Sequence, residues 1–185
     1  MATKINKNTG VIIIFRTENE KNMFVPVDFK IPQNLSNEQF HFEILEPSLN
    51  EIDYEAVMSS KDRLRNIFAE NDDWPASDMS IEFNKNDLIM HENEFKARQA
   101  FAYSVFNSTK DNYIGCVYIN PTEYANHDCE VYIWVKDSEV DLDKSLFETV
   151  DRWLQEEWSF SRRAYPGRLI SWNDWQIAIK LTELR

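Results

Sequence analysis

The chain is poor in glycine and in cysteine, and each shortage excludes a class of protein. Three glycines occur among 185 residues, Gly10, Gly115 and Gly167. A phosphate-binding loop of the Walker or Rossmann type needs several glycines close together, so neither type is present. The two cysteines, Cys116 and Cys129, are too few for a disulfide framework. A reducing cytoplasm is therefore the expected location.

Basic residues and long apolar runs are also scarce. The 32 Asp and Glu residues outnumber the 20 Lys and Arg residues, which gives a net charge of −12. Because nucleic acids and anionic membranes bind basic surfaces, we expect neither as a partner. An acidic surface suits a cationic partner, but it is also common on soluble proteins. The run VIIIF at 11–15 is far shorter than the roughly 20 residues of a membrane span, and MATKINKNTG lacks a signal-peptide pattern.

What is present indicates one globular domain. Hydrophobic residues make up 43% of the chain and aromatic residues 14%, which suffices for a packed core. Residues 1–40 are expected to be an N-terminal extension, and residues 41–185 the main domain. Within the extension, the segments 11–16 and 23–30 predict a β-hairpin across the polar turn TENEKN. Pro26 places the second segment at an edge.

Hydrophobic periodicity predicts the elements of the main domain. The predicted strands are 41–45, 101–107, 113–120 and 129–135, and the predicted helices are 50–70, 84–99 and 142–158. Asn84 is the expected N-cap of the second helix. The tail QIAIKLTELR fits either a helix or a strand. Hairpins mixed among helices indicate an α+β fold with a mainly antiparallel mixed sheet flanked by helices.

Several stretches in this order resemble the GCN5-related N-acetyltransferases over residues 40–175. The family's first strand and helix correspond here to HFEILEPSLNEIDYEAV, and its second and third strands to FAYSVFNSTKDNYIGCVYINP. Its fourth strand corresponds to CEVYIWV, and the helix after that strand to DLDKSLFETVDRWL. A bacterial subgroup of that family shares WP, HENEF and YPGR, which stand here at 74–75, 91–95 and 165–168. The resemblance implies the acyltransferase fold and acetyl-CoA as the co-substrate.

The resemblance also implies where acetyl-CoA binds. In the family the fourth strand splays from the fifth, and the gap holds the pantetheine arm, while the diphosphate lies on the N-terminus of the next helix, where amides and the helix dipole favour an anion. The implied cofactor-binding residues are Trp134, Val135 and Lys136 for pantetheine, and Ser138, Leu142, Asp143 and Lys144 for the diphosphate.

The chain departs from the family at this loop. The family pattern is Q/R-x-x-G-x-G/A, whereas Asp141 and Asp143 stand at the glycine positions here and Ser138 or Glu139 at the first position. We expect Ser138, Asp141 or Asp143 to cap the helix and so to accept the amides that a phosphate would use. Each acid would oppose a diphosphate by about 1 kcal/mol at a wet surface, and the lysines 136 and 144 offset part of this.

Glu130 and Tyr165 are the candidate catalytic residues. By resemblance, Glu130 on the fourth strand is a general base that takes a proton from the attacking amine. The alternative is a strand glutamate paired across the sheet. Tyr165 is a candidate acid for the departing thiolate, or else a turn tyrosine with a buried ring. Trp74, with Tyr132 or Trp134, is a candidate wall of the acceptor cleft, the alternative being plain core.

A metal site is not expected. The His127-x-Cys129 pair and Cys116 lack a fourth ligand at a helpful spacing. His91 and Glu94 do not form an H-E-x-x-H motif, and we expect them on a solvated helix face.

Two functions remain open, with a third less favoured. The leading interpretation is transfer of an acetyl group from acetyl-CoA to an amine of a small molecule or peptide, by direct attack in a ternary complex. The alternative is an inactive binding or regulatory module that has lost its diphosphate loop. Glu130 and Gly115 favour the enzyme, and the acid-filled loop favours the module. An acidic mimic of a polyanion would need its acids on one face, but they are spread through every segment.

Overall fold

The computed structural model describes residues 2–5, 12–15, 24–124 and 126–183. Near the N-terminus, β1 (Ala2–Ile5) and β2 (Ile12–Phe15) pair antiparallel. The predicted hairpin between 11–16 and 23–30 is therefore wrong, because residues 12–15 pair with residues 2–5 and residues 24–30 form bends and turns. Residues 11, 16 and 23 of that prediction lie outside the described residues.

The segment that follows packs on the main domain instead of forming a strand. Val25 is buried, and Phe24 stacks on Phe101 and Phe160 at centroid distances of 5.8 and 4.7 Å. The Arg98 guanidinium donates to the carbonyl of Pro26 at 2.6 Å and to that of Phe29 at 2.8 Å. These side-chain bonds use carbonyls that a strand would have offered to a neighbouring strand, which explains why the pattern at 23–30 misleads.

The main sheet has six strands in the order β3-β4-β5-β6-β7-β8. Their bounds are β3 Asn34–Ser36, β4 Phe40–Ile44, β5 Phe101–Asn107, β6 Tyr113–Asn120, β7 Cys129–Val135 and β8 Arg163–Ala164. Neighbouring strands are antiparallel from β3 to β7, and β7 pairs with β8 in parallel. The predicted α+β fold with a mainly antiparallel mixed sheet is confirmed.

The helices lie on both faces of this sheet. They are α1 Asn50–Ser59, α2 Lys61–Leu64, α3 Ile81–Ala97, α4 Asp143–Glu157 and α5 Trp172–Glu183, with 3-10 turns at Pro47–Leu49 and Asp137–Leu142. The tail is thus helical as far as Glu183, and the helix predicted over 50–70 is divided into α1 and α2, the second of which ends at Leu64. Among the described residues, no helix has the length and apolar character needed to cross a membrane.

The helix predicted over 84–99 is α3, which begins earlier than predicted, at Ile81, and Asn84 is not its N-cap. Ser80 is the N-cap, and its hydroxyl accepts the Phe83 amide at 3.1 Å. Asn84 is buried inside the helix and donates from its side chain to Asp53 of α1 at 2.8 Å. Asparagine is typical of helix ends, but here it lies inside the helix because the buried Asp53 carboxylate needs a hydrogen-bond donor.

Alternation along β7 divides the core into two parts. Val131, Ile133 and Val135 pack on one face with α4, whereas Tyr132 and Trp134 pack on the other face with α1 and α3. This is the alternation that the sequence CEVYIWV predicts, since successive strand side chains point to opposite faces. It decides which side chains of β7 can reach a site on either face.

Candidate active site

The candidate site lies where β7 and β8 diverge. β8 pairs with β7 at Cys129 and Glu130, and beyond Glu130 the described residues add no further ladder pair between these two strands. The Lys136 amide donates to the Ile114 carbonyl of β6 at 2.7 Å. Because backbone groups of alternate residues point to opposite edges of a strand, those of Ile133 and Val135 face away from β6 and into the gap.

This geometry differs from the expectation that residues 134–136 together hold pantetheine. Trp134 and Lys136, two of the three residues expected to hold it, direct their backbone groups towards β6. Val135 faces the gap, and so does Ile133, for which the sequence predicted no role. Consecutive residues of a strand direct their backbone groups to opposite edges. The predicted range 134–136 therefore includes residues that face β6 as well as one that faces the gap.

A cavity of about 570 Å³ occupies the gap. Its walls come from α2 and the residues after it, from β7, from the N-terminus of α4 and from the turn after β8, and they include Arg63, Tyr132, Ile133, Asp143, Lys144 and Arg168. Asp143 and Lys144 were expected in this place. Lys136 and Ser138 instead line a separate cavity of about 530 Å³ beside Ile52 and Asn112, and Leu142 packs against the α4-side core.

A 3-10 turn, Asp137–Leu142, replaces the glycine-rich loop. Its first amide, that of Asp137, donates to the buried Ser60 hydroxyl at 2.8 Å. The expectation that Ser138, Asp141 or Asp143 caps the helix is wrong. The N-cap residue of α4 is Leu142, and no side chain of the described residues caps it.

Two arginines meet the first acid of this turn, Asp137, and the first residue of α4, Asp143. Both terminal nitrogens of Arg168 donate to the Asp143 carboxylate at 2.7 Å, and one of them lies 3.5 Å from the Ile133 carbonyl. The Nε of Arg63 donates to Asp137 at 2.6 Å, and its Nη2 donates to the Val135 carbonyl. Each arginine therefore joins one acid to one carbonyl of the open β7 edge.

Glu130 stands at the point where the strands begin to diverge. Its side chain is half-buried, and Oε2 accepts a hydrogen bond of 2.7 Å from the Tyr132 hydroxyl. Burial, together with the neighbouring Glu130 charge, raises the pKa of Tyr132. The pair thus offers a carboxylate that can accept a proton beside a hydroxyl that retains its own.

Tyr165 is not brought to Glu130 and Tyr132. Its ring is buried in the α4-side core against Phe147, with centroids 5.1 Å apart. Its hydroxyl donates to Asp151 at 2.7 Å, and burial raises its pKa. Tyr132 belongs to the core on the opposite face of the sheet. This geometry favours the alternative interpretation of Tyr165 as a turn tyrosine with a buried ring.

Aromatic rings line the α1-side face next to Tyr132. Phe68 contacts Trp74, Tyr118 and Tyr132 at centroid distances of 5.0, 5.1 and 5.4 Å. Through Phe68 the structure brings together Trp74 and Tyr132, the two predicted acceptor residues. Trp134 lies fully inside the core and lines no such wall.

His91 adds a polar group to this aromatic cluster. Its ring lies 5.2 Å from that of Tyr118, and its nitrogens lie 3.8 Å from Asp87 and 3.3 Å from Glu94. The expectation of a solvated helix face is only partly met, since 18% of the His91 side chain is exposed. Burial raises the pKa of Asp87.

The residues weighed as metal ligands are kept apart. Cys116 and Cys129 belong to the cores on opposite faces of the sheet. Cys116 Sγ lies 2.9 Å from the Tyr113 hydroxyl, and the His127 ring packs near Trp175. Within the described ranges, no group of three or more His, Cys, Asp and Glu side chains is arranged to hold a metal ion.

Comparison with known proteins finds similarity in structure and none in sequence. No family model matches the chain, and no curated protein matches it. The microcin C7 self-immunity acetyltransferase MccE, solved with acetyl-CoA and AMP, aligns with a TM-score of 0.54 and 15% identity over 68% of this chain and 67% of its own. FdhC, a nucleotide-linked sugar GNAT, aligns with a TM-score of 0.53 and 12% identity over 82% of this chain and 80% of its own.

A third similar structure is RimL, the ribosomal L7/L12 alpha-N-protein acetyltransferase. It aligns with a TM-score of 0.50 and 16% identity over 65% of this chain, and the match spans 64% of the RimL chain. Structural similarity at sequence identities this low is evidence for a shared fold and not for a shared substrate. Together with the six-stranded sheet and the diverging β7 and β8, these matches show that this chain has the fold of the GCN5-related N-acetyltransferases.

Proposed function

We propose that the protein transfers an acetyl group from acetyl-CoA to an amine. The observation that carries this proposal is the open edge of β7, which faces a cavity of about 570 Å³ and begins at Glu130. Backbone groups of Ile133 and Val135 face the cavity where the amides of pantetheine would bind, and their carbonyls are contacted by Arg168 and Arg63. A reacting thioester at the Glu130 end of the edge would lie beside a carboxylate and a tyrosine hydroxyl.

Glu130 and Tyr132 divide the proton transfers between them. Glu130 takes the proton of the amine, directly or through water, as the nitrogen attacks the thioester carbonyl. The C–S bond then breaks, and Tyr132 gives a proton to the departing thiolate as Glu130 passes the proton of the amine to Tyr132 along their 2.7 Å hydrogen bond. Burial raises the pKa of Tyr132, so the two transfers occur together and leave no free phenolate.

The aromatic cluster favours a cationic acceptor. Phe68 contacts the rings of Trp74 and Tyr132, the Tyr132 hydroxyl bonds to Glu130, and aromatic faces attract ammonium groups. The acids Asp87 and Glu94 lie around His91 on the same side of the sheet. An amine of a small molecule or peptide would therefore reach Glu130 through a cleft with negative potential.

One observation favours the inactive module as the second candidate. Arg63 and Arg168 contact the carbonyls of Val135 and Ile133, the same groups that pantetheine would use. If these contacts persist in solution, the edge is closed to acetyl-CoA. Direct binding measurements separate the two functions.

The test has a binding arm and a turnover arm. Calorimetric titration measures acetyl-CoA affinity, and the release of free thiol with a panel of amines measures transfer. We expect Glu130→Gln to bind acetyl-CoA within about twofold of the native protein and to lose about 100-fold or more in turnover. Glu156→Gln, at an exposed position of α4, is the matched control. Absence of acetyl-CoA binding contradicts the proposal and favours the module; full turnover by Glu130→Gln contradicts the role of Glu130.

A further inference from the structure

We propose that Arg63 and Arg168 form a clamp for a diphosphate, and that this clamp replaces the missing glycine-rich loop. The inference rests on the proposed function in that the diphosphate of the acetyl donor is the intended ligand. It differs from the arrangement implied by the resemblance, because side-chain guanidinium groups, and not backbone amides of the 138–144 segment, supply the binding groups.

The two arginines come from distant parts of the chain and converge on one cavity. Arg63 lies on α2, and Arg168 lies in the turn after β8. Lys144, on the first turn of α4, lines the same cavity. Three cationic side chains therefore surround the start of α4. A planar guanidinium donates two parallel hydrogen bonds to a phosphate, which makes arginine suited to this task.

Arg168 is held in place by contacts other than its acid. Its guanidinium carbon lies 5.3 Å from the centre of the Phe147 ring, above the ring face. Its own amide and those of the next two residues donate to the Tyr165 carbonyl at 3.0 to 3.2 Å. The turn and the ring keep the guanidinium in the gap when its partner anion changes, so little order has to be created on binding.

Asp143 and Asp137 occupy the positions that the phosphates would take. The Asp143 carboxylate accepts both Arg168 nitrogens at 2.7 Å, with side-chain exposures of 31% and 27% for acid and arginine. For Asp137 and Arg63 these exposures are 49% and 36%. An ion pair as exposed as Arg63–Asp137 is weak. At Arg168 a diphosphate, with more charge and more acceptor oxygens, competes with the bidentate Asp143 carboxylate.

The clamp makes opposite predictions for the two members of one ion pair. Arg168→Met removes a binding group, and we expect it to weaken the binding of inorganic diphosphate by about tenfold or more. Asp143→Asn removes the competing anion, and we expect it to strengthen the same binding by about threefold or more. A change that merely damaged the fold would weaken binding in both variants.

The experiment titrates inorganic diphosphate and, separately, acetyl-CoA into the native protein and both variants by calorimetry. Arg152→Met, an exposed arginine on α4 that lines a different cavity, is the control for net charge and is expected to stay within about twofold of native. Circular dichroism checks that each variant is folded.

Diphosphate binding that weakens in Arg168→Met and strengthens in Asp143→Asn supports the clamp, whether or not acetyl-CoA binds. If acetyl-CoA does not bind in that case, the proposed function fails and the clamp stands. Native protein that binds no diphosphate overturns the clamp. So does an Arg168→Met variant with unchanged or improved affinity, or an Asp143→Asn variant with unchanged or reduced affinity.

Discussion

Gly115 is the residue on which the backbone geometry of the site depends most directly. It pairs with Val135, the last residue of β7, at the open end of the β6–β7 ladder. A Cβ added to Gly115 would lie 1.9 Å from the Trp134 carbonyl oxygen and 2.8 Å from the Val135 Cα. Both atoms belong to the backbone, so no side-chain rotation relieves the contact in Gly115→Ala.

The cost follows from the separation that the methyl group requires. An ordinary contact needs about 3.4 Å or more, so the two strands have to part by about 1.5 Å at this point. The 2.7 Å hydrogen bond from the Lys136 amide to the Ile114 carbonyl lies next to the clash and is lost or lengthened, at about 1 kcal/mol. Overpacking adds about 1–3 kcal/mol, and the expected total loss of unfolding free energy is about 2–4 kcal/mol.

Urea denaturation followed by tryptophan fluorescence measures this loss. Asn120→Ala, at the half-buried end of the same strand, is the control and is expected to cost less than about 1 kcal/mol. We also expect Gly115→Ala to weaken binding in the cavity, since Val135 has to move. A Gly115→Ala protein within about 0.5 kcal/mol of native would refute the close approach of the two strands.

Two further predictions concern acids outside the cavity. Asp53→Ala removes the carboxylate that accepts from the Tyr113 hydroxyl and one of the two acceptors of the Asn84 side-chain amide, and we expect a loss of about 2–4 kcal/mol in urea denaturation; a cost equal to that of Asp53→Asn would contradict this. Arg162 lowers the pKa of Asp128 from 3.8 to about 2. The pair therefore stabilises fully above pH 3.8 and loses this effect as the pH falls through about 2, and we expect Asp128→Asn to cost about 1 kcal/mol at pH 7 and progressively less as the pH falls below 3.8; a cost independent of pH would refute the pairing.

The sequence predicts the sheet well because its signals are local. The strands at 101–107, 113–120 and 129–135 have the predicted bounds, since each is a short run rich in apolar residues that is bounded by polar turns. The start of α3 fails for the opposite reason. Asn84 is a good N-cap by type, but a buried partner on another helix, Asp53, decides its position, and a local pattern does not contain that partner.

The same reason explains why the two arginines of the cavity were missed. Arg63 meets Asp137 across 74 residues and Arg168 meets Asp143 across 25. The acids are visible in the sequence as a departure from a glycine pattern, whereas their partners become visible when the chain is folded. The stretch YPGR did contain a signal, because it contributed to the resemblance through an arginine for which no role was expected.

The acids in the 137–143 turn have a different meaning once their partners are known. Read alone, Asp137 and Asp143 repel a diphosphate. In the fold each one neutralises an arginine that would otherwise stand beside the open carbonyls of β7. A glycine loop offers amides that need no counter-ion, whereas two arginines in one cavity repel each other, and the neighbouring acids Asp137 and Asp143 offset that repulsion until the ligand arrives. The acid-filled loop is therefore what a site that binds phosphate through side chains requires, and its affinity should fall as salt rises.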